Sequence, residues 1–204
     1  MAGIKNIIFD LGGVLVDINY HLTANAFKKI GFSNFDELYS QYIATDLFEN
    51  FETGKITEDD FYGEIMRIDT KGNNKEAIMG AWNAMLLGFR TASFDFLQTL
   101  KGKYNLYLLS NTNTIHLAEF NRIFTEQTGY PNINSFFTKA YYSHLVGLRK
   151  PYKEMYNYVL QDADIKPGET LFIDDSSHNI EGAALVGIKT HLLLPSERIE
   201  KLGL

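Results

Sequence analysis

The chain has 204 residues, 45% apolar and 22% charged, with a formal net charge of −6 and no cysteine. That composition excludes a disulfide scaffold, a thiolate zinc site and a cysteine nucleophile, and argues against a nucleic-acid backbone as the main partner. The apolar run near the N-terminus, Ile7-Ile8-Phe9, is too short for a signal sequence or a membrane span, so a cytoplasmic enzyme with no membrane partner is expected.

Residues 4–9 read as a buried strand that ends at Asp10. From about residue 19 to residue 90 helical periodicities recur and no strand stands out. Phe35, Leu38, Tyr39, Tyr42 and Ile43 share one helical face behind a cap at Ser33 or Asn34. Thr57 followed by Asp60 resembles a capping box opening a helix that runs through Ile68. Residues 75–87, with the single tryptophan Trp82, form a third candidate helix. Strand patterns resume at residues 104–109, ending at Ser110, and more weakly at residues 139–142. Pro151 suits the first turn of a helix in which Tyr152, Met155, Tyr156, Val159 and Leu160 line one face. Residues 170–173 form a further strand, ending in Asp174-Asp175. Ser177 suits the N-cap of the next helix, which stops near Gly187, and residues 188–194 supply the last strand.

Strands alternating with helices imply a parallel sheet covered on both faces, with ligands at the carboxyl ends of its strands. Asp10, Ser110 and the Asp174-Asp175 pair all fall at such ends. Asp10-Leu11-Gly12-Gly13 places a carboxylate before two glycines, which let the backbone turn and approach a ligand; an aspartate that caps a turn has the same pattern. Ser110-Asn111-Thr112-Asn113 gathers donors able to bind an anion, or to cap a helix. Arg149-Lys150-Pro151 brings a cation before a helix, although most lysines are solvated surface groups. Adjacent Asp174 and Asp175 repel unless a hard cation such as Mg²⁺ neutralises them, or unless they form a solvated acidic turn.

In order and placement these four segments resemble the motifs of the haloacid dehalogenase superfamily, along essentially the whole chain. The forms Asp-Leu-Gly-Gly-Val, Leu-Ser-Asn-Thr-Asn, Arg-Lys-Pro and Asp-Asp-x-x-x-Asn-Ile-Glu-Gly-Ala are similar to its sugar-phosphate phosphatases, in particular the glucose-1-phosphatases. Glu52-x-Gly54-x-Ile56-Thr57 fits that branch too. The resemblance implies an α/β fold, with a doubly wound Rossmann-like core from residues 1–17 and 90–204 and an inserted all-helical type 1 cap at 18–89. It further implies a phosphatase acting on a small phosphorylated metabolite such as glucose 1-phosphate, with Asp10 as the nucleophile that forms an aspartyl-phosphate. Mg²⁺ would be held by Asp10, the Gly12 carbonyl and Asp175, with Asp174 a ligand or an outer partner. Ser110, Asn111 and nearby amides would bind phosphate, and Lys150 would offset charge on Asp10 and the transferring group.

One position departs from the pattern. Most phosphatases of the superfamily carry an acid–base aspartate two residues after the nucleophile, where this chain has Gly12. Three explanations stand side by side. The leaving group needs little protonation, as in an anomeric or acyl phosphate; another residue (Asp17, His116, His21 or Glu49) supplies the proton; or the protein binds phosphorylated ligands without turning them over. Dehalogenases lack that aspartate as well, but the Asp174-Asp175 pair would put needless negative charge beside their nucleophile. His144, His178 and His191 show no metal-ligand spacing and read as structural, whereas Tyr20 and Phe48 are candidates to line a sugar site.

Overall fold

The computed structural model describes residues 3–35, 39, 46–69 and 71–204. Five strands, β1 (Asn6–Phe9), β4 (Asn105–Ser110), β5 (Lys139–Tyr142), β6 (Thr170–Asp174) and β7 (Lys189–Leu192), form one parallel sheet in the order β5-β4-β1-β6-β7. The strand β1 lies in the middle, and the chain leaves it first toward β4 and β5, then toward β6 and β7. Such a reversal opens a crevice at the carboxyl edge of the central strands. Phe9 pairs in register with Leu108 and Ile173, so the residues that follow these three strand positions come together at that edge.

Two-residue periodicity builds both faces of the core. Ile7, Phe9, Leu106, Leu108, Leu171 and Ile173 point to one side, against Phe94, Leu97, Phe120 and Phe124. Those partners come from α5 (Thr91–Leu100) and α6 (Thr114–Thr128). Ile8, Tyr107, Leu109 and Phe172 point to the other side, against Met155, Tyr156, Val159 and Ala183. These come from α8 (Lys153–Asp162) and α9 (Ser177–Ala184). Strands with one wet face would alternate in hydrophobicity; the middle positions of β1, β4 and β6 are buried on both sides because helices cover both faces.

The excursion between β1 and β4 has a core of its own. It holds α1 (Tyr20–Lys29), α2 (Asp46–Glu52), α3 (Glu58–Ile68) and α4 (Lys75–Asn83). Phe27, Phe35, Phe48, Phe51, Phe61 and Trp82 fill its centre, with ring pairs such as Phe48–Trp82 at 5.2 Å. Thr57 and Asp60 cap α3 reciprocally, the Thr57 N–H donating to Asp60 Oδ2 at 2.9 Å and the Asp60 N–H to Thr57 Oγ1 at 3.2 Å. The helix expected on Phe35, Leu38, Tyr39, Tyr42 and Ile43 lies largely outside the described residues.

Three expectations are corrected. The stretch from residue 19 to 90 contains a strand, β3 (Leu86–Phe89), which pairs antiparallel with β2 (Val16–Ile18). This ribbon joins the helical insert to the sheet, so the insert is not wholly helical. The register shift at Asp17/Ile18 and the Gly88 within so short a strand hide its alternation, and α4 ends at Asn83 rather than near residue 87. Pro151 precedes α8 by two residues, with Tyr152 at the N-cap, because Lys150 is held in the site by its own backbone hydrogen bonds. The N-cap of α9 is Ser176, not Ser177, and its N–H donates to Asp174 Oδ1 at 2.8 Å.

Candidate active site

Asp10 follows the last residue of β1 and is 7% exposed. Lys150, 1% exposed, donates from Nζ to Asp10 Oδ1 at 2.6 Å and to Asp174 Oδ2 at 2.7 Å. Lys150 reaches this place because Asn111 grips its backbone. The Lys150 N–H donates to Asn111 Oδ1, and Asn111 Nδ2 donates to the Lys150 carbonyl, both at 2.9 Å. The Asn111 side chain is thereby spent on positioning the lysine, which leaves its backbone N–H as the group able to meet an anion. Ser110, the last residue of β4, stays buried beside it, and among the described residues its hydroxyl makes one long 3.4 Å contact, to the Asn111 carbonyl.

Asp174 is saturated. Besides Lys150 it accepts from the Ser176 N–H at 2.8 Å and from Asn179 Nδ2 at 3.0 and 3.1 Å. Asp175 is less buried, and it approaches the loop after Asp10 through Gly13. That glycine has φ +69°, and a Cβ on it would stand 2.1 Å from Asp175 Oδ2. Only a residue without a side chain allows both the turn and the approach. Carboxylate oxygens of Asp10, Asp174 and Asp175 lie within 4.8 Å of one another.

Three carboxylates against one lysine leave an uncompensated buried charge. Burial first, and then Asp174 and Asp175, push Asp10 up to about 8 despite the pull of Lys150. Burial and Asp174 likewise push Asp175 up to about 6. Burial opposes the charge on Lys150, yet Asp10 and Asp174 hold it above the ordinary lysine value. The donor set is hard oxygen, the charge deficit is negative, and the cluster fits a divalent cation.

Above the cluster lies a cavity of about 460 Å³. Its floor is Asp10, Gly12, Ser110, Asn111, Lys150 and Asp175; the helical insert supplies Tyr20, Tyr39, Glu49 and Glu52. Arg149, next to Lys150, ties the two together, with Nη1 3.2 Å from Glu49 and Nη2 3.2 Å from Glu52. Gly54 (φ +66°) completes the junction, since a Cβ there would sit 2.2 Å from the His144 carbonyl oxygen. Glu52 is 6% exposed, and burial raises its carboxyl although Arg149 and the Tyr39 hydroxyl favour the charged form.

The candidate acids beyond Gly12 are mostly committed elsewhere. Asp17 pairs with Arg90 Nε at 2.8 Å, and Arg90 also donates to the Gly13 and Val14 carbonyls. His116 stacks on Trp82, and its ring nitrogens contact Asn113 Nδ2 and the Trp82 carbonyl. Burial pulls its pKa down to about 4, so it is a neutral structural group. His21 is exposed and does not line the cavity, while Glu49 faces Arg149. Phe48 belongs to the insert's aromatic core, whereas Tyr20 does line the cavity. His178, read from sequence as structural, also stands on the cavity wall; its place one helical turn past the Asp174-Asp175 pair was the available signal.

The arrangement has relatives. A D-ribitol-5-phosphate phosphatase of Bacteroides thetaiotaomicron is 33% identical over 187 residues, 92% of this chain and 90% of its own. The sesquiterpene phosphatase astK of Aspergillus oryzae is 29% identical over 187 residues, 90% of this chain and 87% of its own. A HAD family enzyme of B. thetaiotaomicron, solved in complex with magnesium and inorganic phosphate, superposes with a TM-score of 0.86 at 35% identity. It covers 99% of this chain and 100% of that one. The profile of the haloacid dehalogenase-like hydrolases matches residues 4–187, and the chain belongs to that family.

Proposed function

We propose that this hydrolase is a Mg²⁺-dependent phosphatase that cleaves a small phosphate monoester through an aspartyl-phosphate on Asp10. The observation that carries this reading is Lys150 Nζ bridging Asp10 and Asp174 beneath the 460 Å³ cavity, which falls in the usual size range for small-metabolite sites. Asp10 Oδ attacks phosphorus, the ester P–O bond breaks, and water later releases phosphate from the aspartyl group. Ser110 Oγ and the backbone N–H of Asn111 hold phosphoryl oxygens, and Lys150 offsets the charge that gathers on them. Asp10, Asp175 and the Gly12 carbonyl would hold Mg²⁺, which would supply the positive charge that a carboxylate needs to approach a phosphate dianion. With every lone-pair direction toward Lys150, Asn179 and Ser176 used, Asp174 serves as an orienting partner of the lysine.

For the substrate, the relative named for D-ribitol 5-phosphate favours an open-chain polyol phosphate over the glucose 1-phosphate expected from the sequence motifs. The polar insert wall of Tyr20, Tyr39, Glu49 and Glu52 supports a hydroxylated ligand. Phosphate release is to be measured with and without Mg²⁺ on a pentitol 5-phosphate, glucose 1-phosphate and p-nitrophenyl phosphate. Metal-dependent release, fastest among the sugar esters for the pentitol phosphate, is expected. Release from none of them would instead favour a phospho-ligand-binding protein.

Magnesium should also leave a thermodynamic signature. The folded protein keeps protons on Asp10 and Asp175 up to about 8 and 6, whereas carboxyls of an unfolded chain release theirs near pH 4. Carboxyls raised in this way stabilise the fold below the unfolded value, and that contribution is lost as pH rises through the folded values. Metal-free Tm is therefore expected to fall from about pH 5 to about pH 8, and the Tm gain on adding Mg²⁺ to grow over the same window. A Mg²⁺ gain that is flat with pH would contradict this charge assignment.

A further inference from the structure

A primary polyol ester has a poor leaving group, and Gly12 has no proton to offer it. A side chain at position 12 would meet the tip of Ile18, since a Cβ there would stand 2.5 Å from Ile18 Cδ1. In an in-line displacement the leaving oxygen lies opposite the attacking Asp10 oxygen, so it points away from the sheet and toward the insert wall. Among the described residues that wall offers two hydroxyls, those of Tyr20 and Tyr39. The Tyr39 hydroxyl donates a hydrogen bond to Glu52 Oε1 at 3.4 Å. Tyr20, the first residue of α1 and two residues after Ile18, hydrogen-bonds to none of the described residues through its hydroxyl. Its ring packs 6.3 Å from that of Tyr39, and both residues line the cavity.

We infer that the Tyr20 hydroxyl is the group that donates a hydrogen bond to the ester oxygen of the substrate and stabilises it as the P–O bond breaks. The inference rests on the phosphatase reading above. Burial and the carboxylates of Asp175, Asp10, Glu52 and Asp174 keep the phenol above the ordinary tyrosine value, so it remains an O–H donor through neutral pH. Tyr20 and the nucleophile Asp10 line the same cavity. Tyr20 keeps its proton. The departing oxygen takes one from a cavity water, and the hydroxide so formed attacks the aspartyl-phosphate, releasing inorganic phosphate and restoring the Asp10 carboxylate.

A donor at the leaving oxygen matters in proportion to the charge that develops there. The test is Tyr20→Phe, which removes only the hydroxyl, assayed with Mg²⁺ on a pentitol 5-phosphate and on p-nitrophenyl phosphate. kcat/KM for the polyol ester is expected to drop about 10- to 100-fold, and that for the aryl ester, whose leaving group is already a good one, about 3-fold or less. The ratio between the two esters should then shift at least about tenfold, with unchanged Tm. Parallel losses on both esters, or no loss on either, would overturn the role of Tyr20 while leaving the phosphatase reading standing. A wild-type protein that hydrolyses neither ester would overturn both.

Discussion

Replacing Asp10 by asparagine is expected to lower phosphatase turnover on the order of 10⁴-fold or more while leaving the protein folded. Asparagine has the shape of the carboxyl group, and its amide oxygen can still accept the 2.6 Å hydrogen bond from Lys150. What it lacks is a nucleophilic oxygen anion. The same substitution removes one of three mutually repelling carboxyls from a site where Asp10 is 7% exposed. Metal-free D10N is therefore expected to melt above the wild type at about pH 8, with the difference closing toward about pH 5, where the wild-type carboxyl is protonated. Acid quenching during turnover of a radiolabelled substrate should leave label on the wild-type chain and none on D10N. Turnover of D10N at the wild-type rate would remove Asp10 from the nucleophile's place. A gain in stability without loss of activity would mean that its charge burdens the fold and plays no part in the chemistry.

The centre of the sheet was legible because β1, β4 and β6 carry apolar residues on both faces and lead into polar ones. Ile7-Ile8-Phe9 before Asp10 and Leu171-Phe172-Ile173 before Asp174 each declare a buried parallel strand and its ligand-facing end. The β2–β3 ribbon was not legible. Its three- and four-residue strands carry Asp17 and Gly88, and residues 84–87 continue the apolar spacing of α4. A strand that gains its stability from one antiparallel partner and from Gln127, which accepts the Phe89 N–H at 2.7 Å, has no local signature strong enough to interrupt a helical pattern.

The site divides along a similar line. Groups that meet at strand ends could be anticipated from order along the chain, as with Asp10, Ser110 and Asp174. Groups that act across the cavity could not. Arg149 stands beside Lys150 in sequence, but its contacts with Glu49 and Glu52 depend on how the insert docks. The Asn111 amide likewise looks like an anion ligand until Lys150 is found hydrogen-bonded to both its ends. His116 looks like a spare acid until its two nitrogens are found engaged with Asn113 and Trp82. In each case the residue type suggests chemistry, and a partner 30 or more positions away, or a neighbouring helix, decides whether the atom is free to perform it.

Lys150→Met should have the opposite effect on stability from D10N and a comparable consequence for catalysis. Methionine fills much the same volume over the Phe172 ring, where Lys150 Nζ lies 5.5 Å from the centroid, but brings no charge. Asp10 and Asp174 would then face each other with Asn179 and the Ser176 N–H as the remaining donors. Removing one partner of a buried ion pair costs about 3–5 kcal/mol, so metal-free K150M is expected to lose that much unfolding free energy above about pH 8, where Asp10 is ionised. Acidification should return part of it, since protonated carboxyls no longer need the lysine, and Mg²⁺ should return part by supplying charge. kcat is expected to fall about 10²- to 10³-fold, the usual cost of deleting one positioned charge in a transition state. The double variant D10N/K150M provides the decisive comparison. If Lys150 is held by its contact with Asp10, D10N should stabilise the K150M background at about pH 8 by more than it stabilises the wild type, because the carboxylate left unpaired by the first change is removed by the second. Strictly additive effects would instead assign the stabilising role of Lys150 to Asp174 alone.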